Sequence, residues 1–173
     1  WVVLSPSGID QEIVNQGGVP IDLSGASLHR GGVVNSVPDA GFPYGTVLEP
    51  GCGSGNFIGF APAEFDEALS WIGIELDPIT AQIAQHLYPD AEIRNEGFET
   101  TAMPDASVDL VVGNVPFGQV ALNDPIHNPT RESIHNHFIV KGLRLLRPGG
   151  YLAVITSRYT LDARNPTARL AMA

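Results

Sequence analysis

Residues 47–57 read Val-Leu-Glu-Pro-Gly-Cys-Gly-Ser-Gly-Asn-Phe. Val47 and Leu48 predict a short buried strand, and the glycines at positions 51, 53 and 55 predict a tight loop directly after it. Because glycine has no Cβ, a ligand can approach the backbone of such a loop closely. This stretch therefore predicts a nucleotide-like ligand at the end of a strand.

Outward from this loop, short apolar runs alternate with helical patterns. Further strands are predicted at residues 71–76, 91–94, 108–112 and 151–156. Helices are predicted at residues 56–69, 77–87 and 133–146 and from residue 162 onward. Strands separated by helices are joined by right-handed crossovers, so the fold class is α/β with a parallel sheet. Residues 1–45, rich in Gly, Pro, Ser and Asn, give no assignable element, and the predicted catalytic core is 46–173.

Length and composition favour a single globular domain. The chain has 173 residues and is 43% apolar, and it contains no uninterrupted apolar run of the roughly 18 residues that a membrane span needs. One cysteine cannot form an internal disulfide, and there is no secretory leader pattern, so we expect a cytoplasmic protein without membrane contact. Because the chain begins at Trp1 and stops inside a predicted helix, we expect a piece of a longer protein.

Charge is distributed unevenly along the chain. Residues 1–130 carry two basic and 17 acidic residues, whereas residues 131–173 carry seven basic and two acidic ones, and the whole chain has a net charge of −10. The total argues against a standalone nucleic-acid-binding protein. The basic final quarter fits either a nucleic-acid contact or arginines that keep helix surfaces soluble, and both interpretations stay open.

The residues around the glycine loop discriminate between cofactors. A dinucleotide loop places its third glycine at position 56, where this chain has Asn56, and no Lys-Ser or Lys-Thr follows as in a Walker loop. Glu49 would repel a pyrophosphate and attract a cation. Because S-adenosylmethionine carries a sulfonium and an ammonium, it fits this loop better than NAD.

Two further positions suit the same ligand. Glu75 lies 20 residues beyond Gly55 at the end of the next predicted strand, where a carboxylate can accept hydrogen bonds from both ribose hydroxyls. The alternative is that Glu75 caps the following helix, a role for which Asp77 before a proline is better suited. Phe98, after the third predicted strand of this series, could pack on an adenine ring or belong to the core.

The segment Asn114-Val115-Pro116-Phe117 follows the strand predicted at 108–112. A planar amine is a poor nucleophile because its lone pair is delocalised into its ring. Hydrogen bonds from both amine hydrogens to the Asn114 side-chain oxygen and the Val115 carbonyl would favour tetrahedral geometry at the nitrogen. Phe117 could stack on the ring. The segment therefore predicts a site for methyl transfer to an amine.

Together, the glycine loop and Asn114-Val115-Pro116-Phe117 resemble the amino-group DNA methyltransferases of the N6-adenine class, most closely the methylase domains of large phage- and plasmid-type proteins, which are often joined to helicase segments. The resemblance covers roughly residues 45–165. It implies the Rossmann-like fold of class I S-adenosylmethionine-dependent methyltransferases, here without the last strands and the target-recognition domain. It also implies DNA as the partner, bound through that missing domain.

The resemblance assigns roles to individual residues. Asn114, Val115, Pro116 and Phe117 are expected to hold a flipped-out adenine. The expected cofactor-binding residues are Glu49, Pro50, Gly51, Cys52, Gly53, Gly55, Asn56, Phe57, Glu75, Leu76 and Phe98. Two positions depart from the family: Val115 replaces a usual proline, and Gly97 stands where an acidic residue commonly contacts the adenine of the cofactor.

Other functions are less well supported. Similar motifs occur in methyltransferases for a protein glutamine amide or a ribosomal RNA guanine amine, and a catalytically silent scaffold would also keep the fold. The triplet His135-Asn136-His137 resembles a nuclease motif but lies in a predicted helix. The spacing of the histidines and Cys52 matches no zinc pattern, so we expect no metal site.

Overall fold

The computed structural model describes residues 2–4, 45–61, 68–156, 160 and 166–172. The strands are β1 (Val2–Leu4), β2 (Gly45–Pro50), β3 (Leu69–Glu75), β4 (Glu92–Asn95), β5 (Val108–Asn114) and β6 (Leu146–Ile155). The helices are α1 (Asn56–Gly59), α2 (Pro78–Leu87), α3 (Ile134–Leu145) and α4 (Thr167–Met172). Among these described residues, no helix is long and apolar enough to cross a membrane.

The strands form one parallel sheet in the order β1-β6-β5-β2-β3-β4. From β2 the chain adds β3 and β4 on one side, and then crosses to the other side to add β5 and β6. The strand order therefore reverses between β2 and β5. In open α/β sheets, ligands bind outside the carboxyl ends of the strands at such a reversal. The predicted α/β class is confirmed.

The core lies on both faces of the sheet because successive strand residues point to opposite sides. On one face, Leu48 and Val111 pack with Ile139 and Leu145 of α3. On the other face, Val47, Leu110 and Val112 pack with Phe57 of α1. The sheet is thus covered on both sides, which explains why β5 is almost continuously apolar.

Helix α2 begins where the sequence predicts. The Asp77 side chain accepts a hydrogen bond from the Thr80 amide at 2.8 Å, and Pro78 occupies the first turn, where its missing N–H costs nothing. Ala81 and Ala84 are fully buried, whereas Ile79, Ile83 and Leu87 are exposed.

Several element boundaries differ from the sequence prediction. The predicted helix over 56–69 is wrong at its end, because α1 is a single turn and Leu69 already belongs to β3. Residues 62–67, which include Pro62, lie outside the described residues. Strand β6 starts at Leu146, which pairs with Val108, rather than at residue 151. The register then shifts, because Tyr151 pairs with Leu110 and the pairing skips the Arg-Pro-Gly-Gly segment. The helix predicted from residue 162 is described only from Thr167.

The first residues of the chain join the sheet. Val2–Leu4 form β1, which pairs in parallel with Ala153–Ile155 of β6. This pairing is between residues about 150 positions apart, so no local pattern within residues 1–45 indicates it. The remainder of that segment, residues 5–44, lies outside the described residues.

Candidate active site

A cavity of about 270 Å³ lies at the reversal point of the sheet. Its lining comes from the ends of β2, β3, β4 and β5 and from α3: Gly51, Ile74, Glu75, Leu76, Glu96, Gly97, Phe98, Glu99, Asn114, Pro116, Leu122, Ile134 and Phe138. Val47 and Leu48 pair with Leu110 and Val111, and continuing this register by three residues places Gly51 beside Asn114. The two motifs that the sequence singles out therefore meet in one cavity.

The glycine loop is held tightly against β3. The Cys52 amide donates to the Ile74 carbonyl at 2.9 Å, which continues the strand pairing into the loop. Gly53 has a φ of +57° with open space where a Cβ would stand, and Gly55 has a φ of +80° with the Tyr88 ring filling that space. Gly53 therefore leaves room for a ligand, while Gly55 is required by its left-handed conformation and by the ring beside it.

Glu75 connects the loop to the second strand of the site. One carboxylate oxygen accepts from the Gly53 amide and the other from the Asp77 amide, each at 2.8 Å. Each oxygen keeps a further lone pair that can accept a ligand hydroxyl. Asp77 takes the helix-cap role, as the sequence analysis favours, and Glu75 lines the cavity.

The cavity wall is acidic. Glu75, Glu96 and Glu99 contribute to it, and no Lys, Arg or His is among the described lining residues. A Cβ at Gly97 would collide with the Glu99 carboxylate, so that carboxylate lies where a side chain at position 97 would begin. Glu96 and Glu99 are site residues that the sequence analysis did not select. The wall suits a cationic ligand and disfavours a phosphate.

The four residues at the end of β5 and just after it, residues 114–117, differ in exposure and in whether they line the cavity. Asn114 and Pro116 line the cavity, and Asn114 is exposed. Val115 is 1% exposed, and its amide donates to the Ile155 carbonyl at 3.1 Å, which a proline at this position could not do. Phe117 is 55% exposed and lies outside the lining. The structure therefore does not bring the Phe117 ring into the cavity with Asn114 and Pro116.

The other predicted cofactor residues divide into some that line the cavity and some that do not. Glu49 and Pro50 are buried at the end of β2, and Phe57 packs in the core on the opposite face from α3. Phe98 belongs to the core at 3% exposure and also lines the cavity. Leu76 lines the cavity and is largely exposed. Asn56 donates weakly to the Ser54 hydroxyl at 3.5 Å.

Cys52 is unsuited to nucleophilic catalysis. Burial raises the pKa of its thiol to about 12, and the nearby carboxylates of Glu49 and Glu75 add to the increase. Because the thiolate is the reactive form, the thiol is inert at neutral pH.

A buried lysine that is not among the residues predicted from the sequence lies next to Phe98. Lys141 of α3 is 1% exposed, and its Nζ donates to the Phe98 carbonyl at 2.6 Å and to Asp124 Oδ2 at 3.1 Å. The signal was present, because residues 134, 138, 141 and 145 share one face of a helix and the other three are apolar. Both interpretations of the basic residues 131–173, a nucleic-acid contact or a soluble helix surface, need these residues to be exposed. Lys141 is buried and therefore contributes to neither.

The histidine triplet is part of α3. His135 and Asn136 are nearly buried, and His137 is fully buried with its Nε2 at 3.0 Å from Asp124 Oδ2. A carboxylate only accepts, so Nε2 carries the proton. Within the described residues, no group of three or more His, Cys, Asp or Glu side chains is arranged to hold a metal ion.

Comparison with known families decides the assignment. A family model described as a methyltransferase domain matches residues 48–154, which runs from the glycine-loop strand through β6. The chain belongs to this methyltransferase family. The family uses S-adenosylmethionine as methyl donor, so S-adenosylmethionine is the cofactor, and the acidic cavity beside the glycine loop fits its positive charge.

Curated relatives of this methyltransferase domain are much longer than the chain. The defense against restriction protein B of Escherichia phage P1 is 32% identical over an alignment of 129 positions, which covers 72% of this chain and 6% of the phage protein. The type II methyltransferase M.TthHB8I of Thermus thermophilus is 33% identical over an alignment of 129 positions, which covers 64% of this chain and 29% of the relative.

Solved structures share the fold of the domain. An S-adenosylmethionine-dependent methyltransferase from Aquifex aeolicus superposes with a TM-score of 0.52 at 18% identity, covering 70% of this chain and 62% of the other. The predicted Rossmann-like fold of class I methyltransferases is confirmed.

Proposed function

We propose that this domain transfers the methyl group of S-adenosylmethionine to the N6 amine of adenine in DNA. One observation carries the proposal: Asn114 and Pro116 line the same cavity as Gly51 and Glu75. An amine held by Asn114 would therefore lie next to a cofactor held by the glycine loop and Glu75.

The cofactor supplies a methyl group on a sulfonium, which is a good leaving group and needs no activation by a side chain. In this proposal, Glu75 binds the ribose hydroxyls of the cofactor. Leu76 and Phe98 contact its apolar surface, and the cofactor lies against the backbone of Gly51 and Gly53. Glu96 and Glu99 add negative charge around the cation.

The contribution of the chain to catalysis is orientation and electrostatics. The Asn114 side-chain oxygen and the Val115 carbonyl would accept the two amine hydrogens and direct the lone pair at the methyl group. The hydrogen bond from the Val115 amide to the Ile155 carbonyl fixes this segment to β6, so the acceptor geometry is set before the base arrives. Phe117 would stack on the base.

DNA as the substrate is supported by the relatives and by the amine-binding segment. One relative is named a type II methyltransferase and another a defense against restriction protein. The target base would have to leave the duplex, because its amine cannot reach a buried methyl donor while stacked. Recognition of duplex DNA, and the association with a helicase, would then belong to the protein outside this domain.

The decisive experiment compares Asn114→Ala with Asn123→Ala in the full-length protein. Asn123 is an exposed asparagine on the following loop and does not line the cavity, so it is the matched control. Transfer of tritiated methyl groups from S-adenosylmethionine is measured with DNA, RNA and a glutamine-containing peptide as acceptors. We expect label in DNA, loss of more than 100-fold in Asn114→Ala with cofactor affinity unchanged, and no change in Asn123→Ala.

Three results would contradict the proposal. Label in RNA or peptide but not in DNA would move the domain to another substrate class. Unchanged turnover in Asn114→Ala would remove this residue from catalysis. Cofactor binding without methylation of any acceptor would indicate a scaffold.

A further inference from the structure

The buried side chain of Lys141 has three acceptors. Its Nζ donates to the Phe98 carbonyl at 2.6 Å, to the Thr101 carbonyl at 3.1 Å and to Asp124 Oδ2 at 3.1 Å. An ammonium group has three protons, so this set uses all of them. The Nζ also lies 5.0 Å from the centroid of the Phe98 ring.

These acceptors belong to two separate segments of the cavity wall. Phe98 and Thr101 follow β4 on the side where Glu96 and Glu99 line the cavity. Asp124 belongs to the loop that follows Asn114 and Pro116, and Leu122 of that loop lines the cavity. Lys141 itself lies on α3, one helical turn from the lining residue Phe138. The ammonium is therefore the point at which the three segments are joined.

Asp124 completes the junction. One oxygen accepts from the amides of Ile126 and His127, at 3.2 and 3.0 Å, and so fixes the local turn. The other accepts from Lys141 and from His137 of α3, and it lies 3.2 Å from His127 Nδ1. Asp124 is 4% exposed and Lys141 1%, so the two opposite charges pair with little access to water.

A buried ion pair adds little to the free energy of unfolding, because the desolvation of both charges offsets their attraction. Apolar side chains of similar volume would stabilise the fold equally well. What the pair supplies is a fixed geometry, since the ammonium must meet two carbonyls and a carboxylate at once. Apolar packing between the same segments would allow them to shift.

We infer that Lys141 and Asp124 form a positioning clamp. It sets the separation between the cofactor wall, residues 96–101, and the substrate wall, which is formed by Asn114, Pro116 and Leu122. Neither Lys141 nor Asp124 lines the cavity. The inference rests on the proposed placement of cofactor and target base in this cavity. It predicts that loss of the clamp weakens cofactor binding even where the fold is kept.

The test is the double variant Lys141→Met/Asp124→Asn in the 173-residue chain. It removes both charges together, and the asparagine oxygen can still accept from the amides of Ile126 and His127, so the local turn is kept. Leu110→Ala is the control, because it removes buried methyl groups from the core on the face of the sheet away from α3. Circular dichroism confirms folding of each variant, calorimetry measures S-adenosylmethionine affinity, and hydrogen exchange measures protection of amides 97–101 and 122–128.

If the clamp acts in this way, the double variant should lose at least tenfold in cofactor affinity and should exchange these amides at least tenfold faster relative to the amides of β5. Leu110→Ala should keep the cofactor affinity within about twofold and speed exchange at both sets of amides alike, because it destabilises the whole core. Wild-type affinity and wild-type protection in the folded double variant would overturn the inference. Absence of cofactor binding by the wild-type chain would contradict the proposed site instead, and the exchange rates, which need no cofactor, would still decide the clamp.

Discussion

At the residue scale, the Glu75 carboxylate has two roles: it holds the glycine loop in position, and it is the proposed acceptor for the ribose hydroxyls. Its oxygens already accept from the Gly53 and Asp77 amides, so the loop is held in position before any ligand binds. Only the remaining lone pairs are free for the ribose. The residue is therefore both part of the loop structure and part of the proposed ribose site.

We expect Glu75→Ala to weaken S-adenosylmethionine binding by about 1–3 kcal/mol, or roughly 5- to 150-fold, because it removes an acceptor for hydroxyl groups. Glu75→Gln should bind with intermediate affinity, since its amide offers one oxygen instead of two. Calorimetry measures both variants beside Glu92→Ala, which removes an exposed carboxylate outside the cavity. Tight binding of NAD without binding of S-adenosylmethionine would refute this prediction.

At the scale of elements, α3 buries four polar residues in the core, namely His135, Asn136, His137 and Lys141. Burial lowers the pKa of His137 below its usual range, against the opposing effects of Asp124 and Glu99 and with a further lowering by Lys141. Burial likewise lowers the pKa of His135, although Glu132 and the Gly118 backbone oppose the shift. Both imidazoles therefore stay neutral in the folded chain at pH values where an exposed histidine is charged.

This predicts that the free energy of unfolding falls as the pH drops from 7 to 5. The unfolded chain binds protons at these histidines near pH 6.5 and the folded chain does not, so acid favours the unfolded state by at most about 1.4 kcal/mol per pH unit for each histidine. Urea unfolding of His137→Gln should show a shallower dependence, because glutamine does not titrate.

The control for this prediction is Gln82→Ala, which changes an exposed side chain on α2 that does not titrate. It should leave the pH dependence as in the wild-type chain. Equal slopes for wild type and His137→Gln between pH 7 and 5 would show that the folded chain protonates His137 as readily as the unfolded one.

At the scale of the whole molecule, the basic final quarter of the sequence offers less positive surface than its count indicates. Lys141 is buried against Asp124, and Arg147 is paired with Asp109 across the sheet. Arg158 and Arg164 lie outside the described residues. The chain as a whole carries a net charge of −10.

The 173-residue chain should therefore bind DNA weakly at physiological salt, because affinity for a polyanion comes mainly from clustered positive charge. Fluorescence anisotropy with a labelled duplex, at about 50 mM and 150 mM salt, measures this. Submicromolar binding that weakens steeply with salt would show that the remaining arginines form a sufficient DNA surface.

Local patterns in the sequence determine the α/β class, the glycine loop with Glu75 after it, and the Asn114 segment at a strand end. Each is a strand, turn or cap defined within a few residues, so hydrophobic periodicity and turn chemistry are enough to predict it. Helix α2, with Asp77 and Pro78 at its start, is predicted for the same reason.

The tertiary structure alone decides which of these local features meet. The strand order, with β5 beside β2, brings Gly51 to Asn114, and the pairing of β1 with β6 recruits Val2–Leu4 from a segment without recognisable pattern. The helical period of α3 indicates that Lys141 faces inward, but its partners, the Phe98 carbonyl and Asp124, lie 43 and 17 positions away. Which distant residues come into contact depends on packing between elements, and this choice of partner leaves no periodic signal in either segment.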